Sequence, residues 1–201
     1  MLKGFLAGLV IANGFEWFAH KYILHGIPRK GQARYSPVPQ SMRSHWEHHR
    51  EVRKTAFSDH GYVEGWQNWR TRNEIGSLVV VASVFGLAFY PVSKGMSLAV
   101  LYSACNYYYV HRRAHLEPEW AKRKIPWHYD HHMNSNQDAN WCVTRPWFDY
   151  VMGTRVISSP ELQEQNPLGI YLPKTVSQAL SSSIQQIFPA KWVEKNRALN
   201  P

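Results

Sequence analysis

The sequence predicts an all-α integral membrane protein, with about three transmembrane helices beneath a cytoplasmic helical cap. Three observations carry that expectation. Apolar residues are segregated into stretches 4–19 and 75–110, although mean hydropathy over the whole chain is only −0.43. Basic residues, which bring the net charge to +9, gather in the polar regions between and after those stretches. Ten of the eleven histidines crowd into tight clusters in or beside the same polar regions. A chain of 201 residues is long enough for one domain with a real core and too short for two comfortable ones, so residues 1–201 are read as a single unit.

Taken in order, the first apolar run, "GFLAGLVIANGFEWFA", continues without a break into "EWFAHKYILH". A cleaved signal peptide would not run on into two histidines, so the segment predicts a retained anchor helix over Leu2–Tyr22. Residues 26–74 are polar, basic and rich in tryptophan. There "GIPRKGQARYSPVPQ" reads as a loop, after which Ser41 or Ser44 is expected to cap a helix. The long apolar region then reads as a hairpin: Ile75–Tyr90, a turn at Pro91–Gly95, and Met96–Val110. A membrane crossing takes ~20 apolar residues, and each half is a little short, so a buried soluble hairpin is the competing reading. Near the C-terminus Val176, Leu180, Ile184, Ile187 and Phe188 recur at helical spacing. That pattern predicts an amphipathic helix lying on a membrane or on the cap, or one packed on its own domain.

Charge sets the expected orientation. Lys21, Arg29, Lys30, Arg34, Arg43, Arg50, Arg53, Lys54, Arg70 and Arg72 fall in one polar region, and Arg112, Arg113, Lys122, Arg123 and Lys124 follow the second apolar run. Only Lys3 precedes the first helix and only Lys94 sits between the hairpin halves. By the positive-inside rule residues 26–74 and 116–201 face the cytoplasm, the N-terminus lies outside, and three crossings satisfy both. Basic, aromatic chains also bind nucleic acid, but here the aromatics lie in apolar helices or beside histidines without an RNA-binding or zinc-finger signature, so that class is excluded. Cys105 and Cys142 are too few for a disulfide framework, an iron–sulfur motif or a cysteine zinc site.

The histidines form four groups: His20 and His25; His45, His48 and His49 in "SHWEHHREVRK"; His111 and His115; His128, His131 and His132 in "PWHYDHHMNSN". Positions i, i+3 and i+4 share one helical face, so each H-x-x-H-H aims three imidazoles one way. His20 and His25 are five apart, which fits a helix end where one ligand leaves regular geometry. These ten imidazoles are too many for one ion; shared between two metals they supply about five each and leave a position open. Imidazole suits iron, zinc, copper and nickel. Glu16, Glu47 and Asp130 lie beside the clusters and are the expected holders of imidazole N–H groups. His60 stands outside every cluster and is assigned no role.

With "HKYILH", "HWEHH", "HRRAH", "HYDHH" and the tail "HHMNSNQDANWCVTRPWFDYVMGTR", residues 10–157 resemble the fatty acid hydroxylase superfamily. These are integral-membrane di-metal oxygenases that include sterol desaturases, sterol C4-methyl oxidases and sphingolipid fatty acid 2-hydroxylases. In the tail the family has an Asn supporting the ligands and a W/F-D-x-x-x-G-T run. The resemblance implies that the ten clustered histidines hold two iron ions, with zinc as an alternative occupant, at the cytoplasmic membrane face. It implies O2-dependent attack on a C–H bond of a lipid or fatty acyl chain, giving hydroxylation, or desaturation if a second hydrogen leaves. Two electrons come from outside, through a ferredoxin or cytochrome b5-type carrier and its reductase docking on the basic face. Lacking a fused cytochrome b5 segment, the chain looks like a bacterial inner-membrane member. Members usually carry a further helix before the first histidines; here one run fits, so a homo-oligomer is one way to enclose the acyl chain. A desaturase, a carotenoid hydroxylase, an aldehyde-cleaving enzyme and a non-catalytic metal-binding membrane protein are the alternatives. Residues 158–201 match no part of the family pattern.

Overall fold

The computed structural model describes residues 1–27 and 39–193. Most of the expected loop 26–40, with Arg29, Lys30 and Arg34, lies outside the described residues. The chain is mostly helical, as the segregation of apolar residues predicts. Helix α1 spans Leu2–Phe18 and passes directly into a π-helical turn, Ala19–Leu24. Helix α2 is Gln40–Lys54, α3 is Gly61–Glu64, and α4 is Trp69–Phe89. Helices α5 (Lys94–Leu116), α6 (Pro118–Lys124), α7 (Pro126–Met133), α8 (Trp147–Val151) and α9 (Lys174–Ile187) follow. The class is not purely α: strands β1 (Val156–Ile157) and β2 (Lys191–Trp192) form a short parallel ladder.

Local chemistry explains the boundaries that differ from expectation. The hairpin helices are longer than their apolar runs because polar residues cap them. Asn68 accepts from the amides of Arg70 and Thr71 and starts α4 at Trp69. Ser93 accepts from the Met96 amide, so Lys94 and Gly95 belong to α5 rather than to the turn. Neither Ser41 nor Ser44 is a cap. Helix α2 begins at Gln40, where Pro39 is the N-cap and its carbonyl accepts from the Met42 and Arg43 amides.

Helices α1 and α4 both pack along α5. The α1–α5 contact is close because small residues face each other. A Cβ on Gly8 would stand 2.6 Å from the Ala99 Cβ, and one on Gly95 would stand 2.3 Å from the Met1 carbonyl oxygen. Gly4-x-x-x-Gly8 on α1 thus meets Gly95-x-x-x-Ala99 on α5, the small-residue arrangement that lets apolar helices approach without large side chains between them. From α4, the Gly86 carbonyl accepts the Ser97 hydroxyl at 2.8 Å.

Among the described residues α4 is the one helix long and apolar enough to cross a membrane, with mean hydropathy 1.3 over its apolar window, of which 11% is buried. The three expected crossings do not all meet that measure. Helix α1 stops at 17 residues where the backbone becomes π-helical, and α5 mixes tyrosine, asparagine and histidine into its apolar run. The apolar core lies instead in the cap, where Val52, Phe57, Val110, Ala114, Ile125, Trp127 and Val143 pack around histidines. Helix α9 is held by polar contacts, Ser177 with Asn166 and the Ser181 hydroxyl with the Gln165 carbonyl. Its apolar stripe is partly covered: Leu180, Ile184 and Phe188 are half-buried, while Val176 and Ile187 stay exposed, Ile187 at 73%.

Gly8→Leu should force α1 off α5 and cost roughly 1–3 kcal/mol of stability, the usual range for overpacking. Gly76→Leu, where an added Cβ meets nothing within 4 Å, should leave the thermal midpoint unchanged. Equal effects of the two substitutions on thermal unfolding in detergent would refute the close α1–α5 contact.

Candidate metal centre

All ten clustered histidines converge in the cap, each buried to 8% exposure or less. They divide into two groups. His20, His25, His49 and His131 form one, His48, His111, His115 and His132 the other, with ligand atoms inside each group all within 4.8 Å of one another. His45 joins the first, its Nε2 3.1 Å from His20 Nε2 and 2.9 Å from His25 Nε2. His128 joins the second through Nε2, 3.3 Å from His115 Nε2. The groups abut, the His49 and His132 rings lying 4.1 Å apart.

Helical geometry makes this division. On α2, His45 and His49 (i, i+4) go to the first group and His48 to the second. On α7 the pattern inverts: His128 and His132 go to the second and His131 to the first. The α5 pair His111 and His115 serves the second group, and its counterpart on the first helix is His20 with His25. Five residues apart, those two share a face because the backbone there is π-helical, with the His25 amide donating to the His20 carbonyl at 3.1 Å. Such turns cluster at functional sites.

Proton positions follow from the partners. Carbonyl and carboxylate oxygens only accept, so an imidazole Nδ1 against one must carry the hydrogen, which in the neutral ring leaves Nε2 a bare lone pair. His20 Nδ1 meets the Trp141 carbonyl at 2.5 Å, His131 Nδ1 that of Ala139 at 2.7 Å, and His115 Nδ1 that of Phe57 at 2.8 Å. His48 Nδ1 donates to Asp59 Oδ2 at 2.7 Å, and His111 Nδ1 to Glu74 Oε1 at 2.6 Å. Five Nε2 atoms are thereby turned away from these acceptors, and His48 Nε2, His131 Nε2 and both nitrogens of His132 are buried without a partner among the described residues. Nitrogens coordinated at ~2.0–2.1 Å at right angles about one ion stand ~3 Å apart, the spacing found here. Neutral imidazoles would otherwise set lone pair against lone pair. The two groups fit metal ions, and the donor set is almost wholly nitrogen.

The expected holders of the imidazoles are not the observed ones. Glu16 accepts from the Val143 and Thr144 amides and the Thr144 hydroxyl, pinning the segment after α7 to α1. Asp130 accepts from Ser158 and faces Arg155 at 3.6 Å, so it anchors α7 without touching a ring. Glu47 lies in a separate polar pocket with Gln40, Arg43 and Trp69. The residues that do the work are Asp59 and Glu74, helped by Tyr62, whose hydroxyl lies 2.6 Å from Glu74 and 2.8 Å from His111 Nδ1. Asp59 also accepts from Arg70 and the Gly61 amide.

Residues 55–59 bring Asp59 and the Phe57 carbonyl into place through a strained turn. Ala56 and Phe57 take φ values of 51° and 80°, a left-handed conformation that bulky residues adopt only when the surroundings impose it. His60, next to Asp59, is exposed and in neither group. The F-D-x-x-x-G-T run has a similar supporting part. Asp149 accepts from the Trp141 and Cys142 amides and the Thr154 hydroxyl, which presents the Trp141 carbonyl to His20. Asn140 supports backbone rather than a ring, bonding Val156 at both its amide and its carbonyl.

One face of the centre opens on a cavity of about 340 Å³ between α1, α4 and α5. His20, His45, His48 and His111, two from each group, form one end; Ile11, Phe15, Leu78, Val81, Phe85 and Phe89 line much of the rest. The Phe15 and Phe85 rings, 4.8 Å apart, bridge α1 and α4 across it.

No family model, curated protein or solved structure matches the chain.

Burial first, and neighbouring histidines second, hold His48, His49 and His132 well below the usual imidazole range, while burial brings His131 down to about 4. At neutral pH these rings are neutral and ready to bind a cation. Between pH 6.5 and about 4 the unfolded chain takes up protons that folded His131 does not, so stability falls as pH falls through that window. Denaturant midpoints should therefore be flat above pH 7 and drop steadily below 6.5; a constant midpoint down to pH 5 would contradict the burial of the rings.

Asp59→Asn and Glu74→Gln should each lower metal affinity about 10–100-fold, the usual effect of removing a ligand's hydrogen-bonding partner. His60→Ala should leave it unchanged. Titration of metal-free protein with Co(II), followed by its visible absorption, measures all three.

Proposed function

We propose that this protein is a membrane-embedded oxygenase that hydroxylates a C–H bond of a lipid or fatty acyl chain, using two irons held by His20, His25, His45, His49 and His131 and by His48, His111, His115, His128 and His132. The observation that carries the reading is the meeting of two inward-facing imidazole groups with a mostly apolar cavity. A metal pair with open positions suits O2 activation, and an apolar channel ending on it suits a hydrocarbon.

The membrane part of the reading has α1, α4 and α5 crossing side by side, with the N-terminus outside and the centre on the cytoplasmic side. Exposed apolar residues on all three support it: Leu6 and Val10, Val80 and Leu87, Leu98 and Leu101. So does the charge, since the positive-inside rule puts the basic cap in the cytoplasm. A bacterial inner membrane is the expected setting.

When bound, the irons supply oxygen activation; the chain supplies position, dryness and proton placement. Asp59 and Glu74 hold His48 and His111 with Nε2 inward. The apolar helices keep water from the reacting carbon and admit the chain from the bilayer. The chain carries no sulfur, flavin or haem motif, so two electrons arrive from an external ferredoxin or cytochrome b5-type donor and its reductase, drawn to the basic cap.

Purified protein should contain about two metals per chain, with iron giving an O2- and donor-dependent hydroxylated lipid. His48→Ala and His131→Ala, one from each group, should each lose at least ~10–100-fold of that product, with His60→Ala unaffected. A metal content of one or less in loaded protein, or product unchanged in both variants, would overturn the proposal. An unsaturated product would instead identify a desaturase on the same centre.

A further inference from the structure

Arg70 and Asn73 stand three residues apart at the start of α4, on one face of the helix, and both line the cavity at its histidine end. One guanidinium nitrogen of Arg70 donates to Asp59 Oδ1 at 2.7 Å, and Asp59 in turn holds His48. Arg70 Nε and Asn73 Nδ2, however, are buried and donate to nothing among the described residues. The carboxylates nearby are committed: Asp59 to His48, Arg70 and Gly61, and Glu74 to His111 and Tyr62. A buried donor left unsatisfied costs as much as a lost hydrogen bond, and two in one wall form a ready site for an acceptor that the protein does not itself provide.

The other end of the cavity has the opposite character. Leu78, Val81, Phe85 and Phe89 continue along α4, and at 1.5 Å per residue Asn73 and Phe89 are ~24 Å apart along the helix. We propose that Arg70 and Asn73 bind the oxygen of an acyl head group, a carboxylate or carbonyl, with the hydrocarbon tail laid along α4 toward Phe89. This rests on the oxygenase reading for its outcome, which follows from direction alone. The head is held beside the histidines, so the carbons presented to them are those nearest the head, not those of the tail end.

Equilibrium binding of radiolabelled hexadecanoic acid, its methyl ester and hexadecane to the full-length protein in detergent tests the site without turnover. The acid, or the acid and the ester, should bind about tenfold or more tighter than hexadecane, a factor within reach of one or two hydrogen bonds. Preference for the acid alone identifies a carboxylate site; preference for both identifies a carbonyl site. Asn73→Leu, and Arg70→Lys, which keeps a cation for Asp59, should each erase most of that preference and leave hexadecane binding unchanged. Equal binding of all three probes, or an equal loss for all three in Asn73→Leu, would overturn the head-group site. Metal content and mass-spectrometric mapping of the product separate the two proposals. Two metals and an oxidised lipid with no head-group preference would leave the oxygenase standing and this inference refuted. Head-group preference in a protein that oxidises nothing would do the reverse.

Discussion

Ten imidazoles packed into one buried volume must each find a place for their ring protons. Five of them turn the Nδ1 proton outward, onto the carbonyls of Phe57, Ala139 and Trp141 and the carboxylates of Asp59 and Glu74, while His49 Nδ1 instead accepts from the Gln137 amide at 3.4 Å. Much of the cap exists to put those acceptors in place. The strained turn at Ala56 and Phe57, the Asp149 clamp on the Trp141 and Cys142 amides, and the Glu16 staple from α1 are backbone supports for them. An outward proton leaves an inward lone pair, and a set of inward lone pairs calls for a positive charge among them. The polar architecture of the cap is in this sense one that could hold a cation.

The helices below serve the same centre by different means. Close contact between Gly8 and Ala99 locks α1 to α5, which fixes His20 and His25 relative to His111 and His115. Both α1 and α4 lie against α5, and the space left between them is the cavity. The small residues that make one interface tight thus also leave room for the cleft beside it.

The histidine positions were legible in the sequence because ligand spacing and helix periodicity coincide. H-x-x-H-H and H-x-x-x-H are recognisable before any fold is known, and the first helix and the hairpin follow from apolar runs. What escaped was whatever depends on tertiary contact. Asp59 lies eleven positions from His48 and Glu74 thirty-seven from His111, so nothing local marks them, whereas Glu16, Glu47 and Asp130 were near in sequence and serve other ends. The π-turn was visible only as an awkward five-residue interval. Helix starts were misplaced where a proline carbonyl or an asparagine side chain, rather than the nearest serine, supplied the first hydrogen bonds.

Neighbouring residues in each H-x-x-H-H serve different groups: His48 and His49 part company on α2, as do His131 and His132 on α7. Each of these helices is therefore a shared beam. An ion seated in the first group would grip α2 through His45 and His49 and α7 through His131, and in doing so would set the rotation of both helices for His48, His128 and His132. The ordering entropy of the second seat would then be largely spent before a second ion arrived. Two ions, if both groups take one, would fill the pair cooperatively, with a half-loaded protein as a minor species between empty and full.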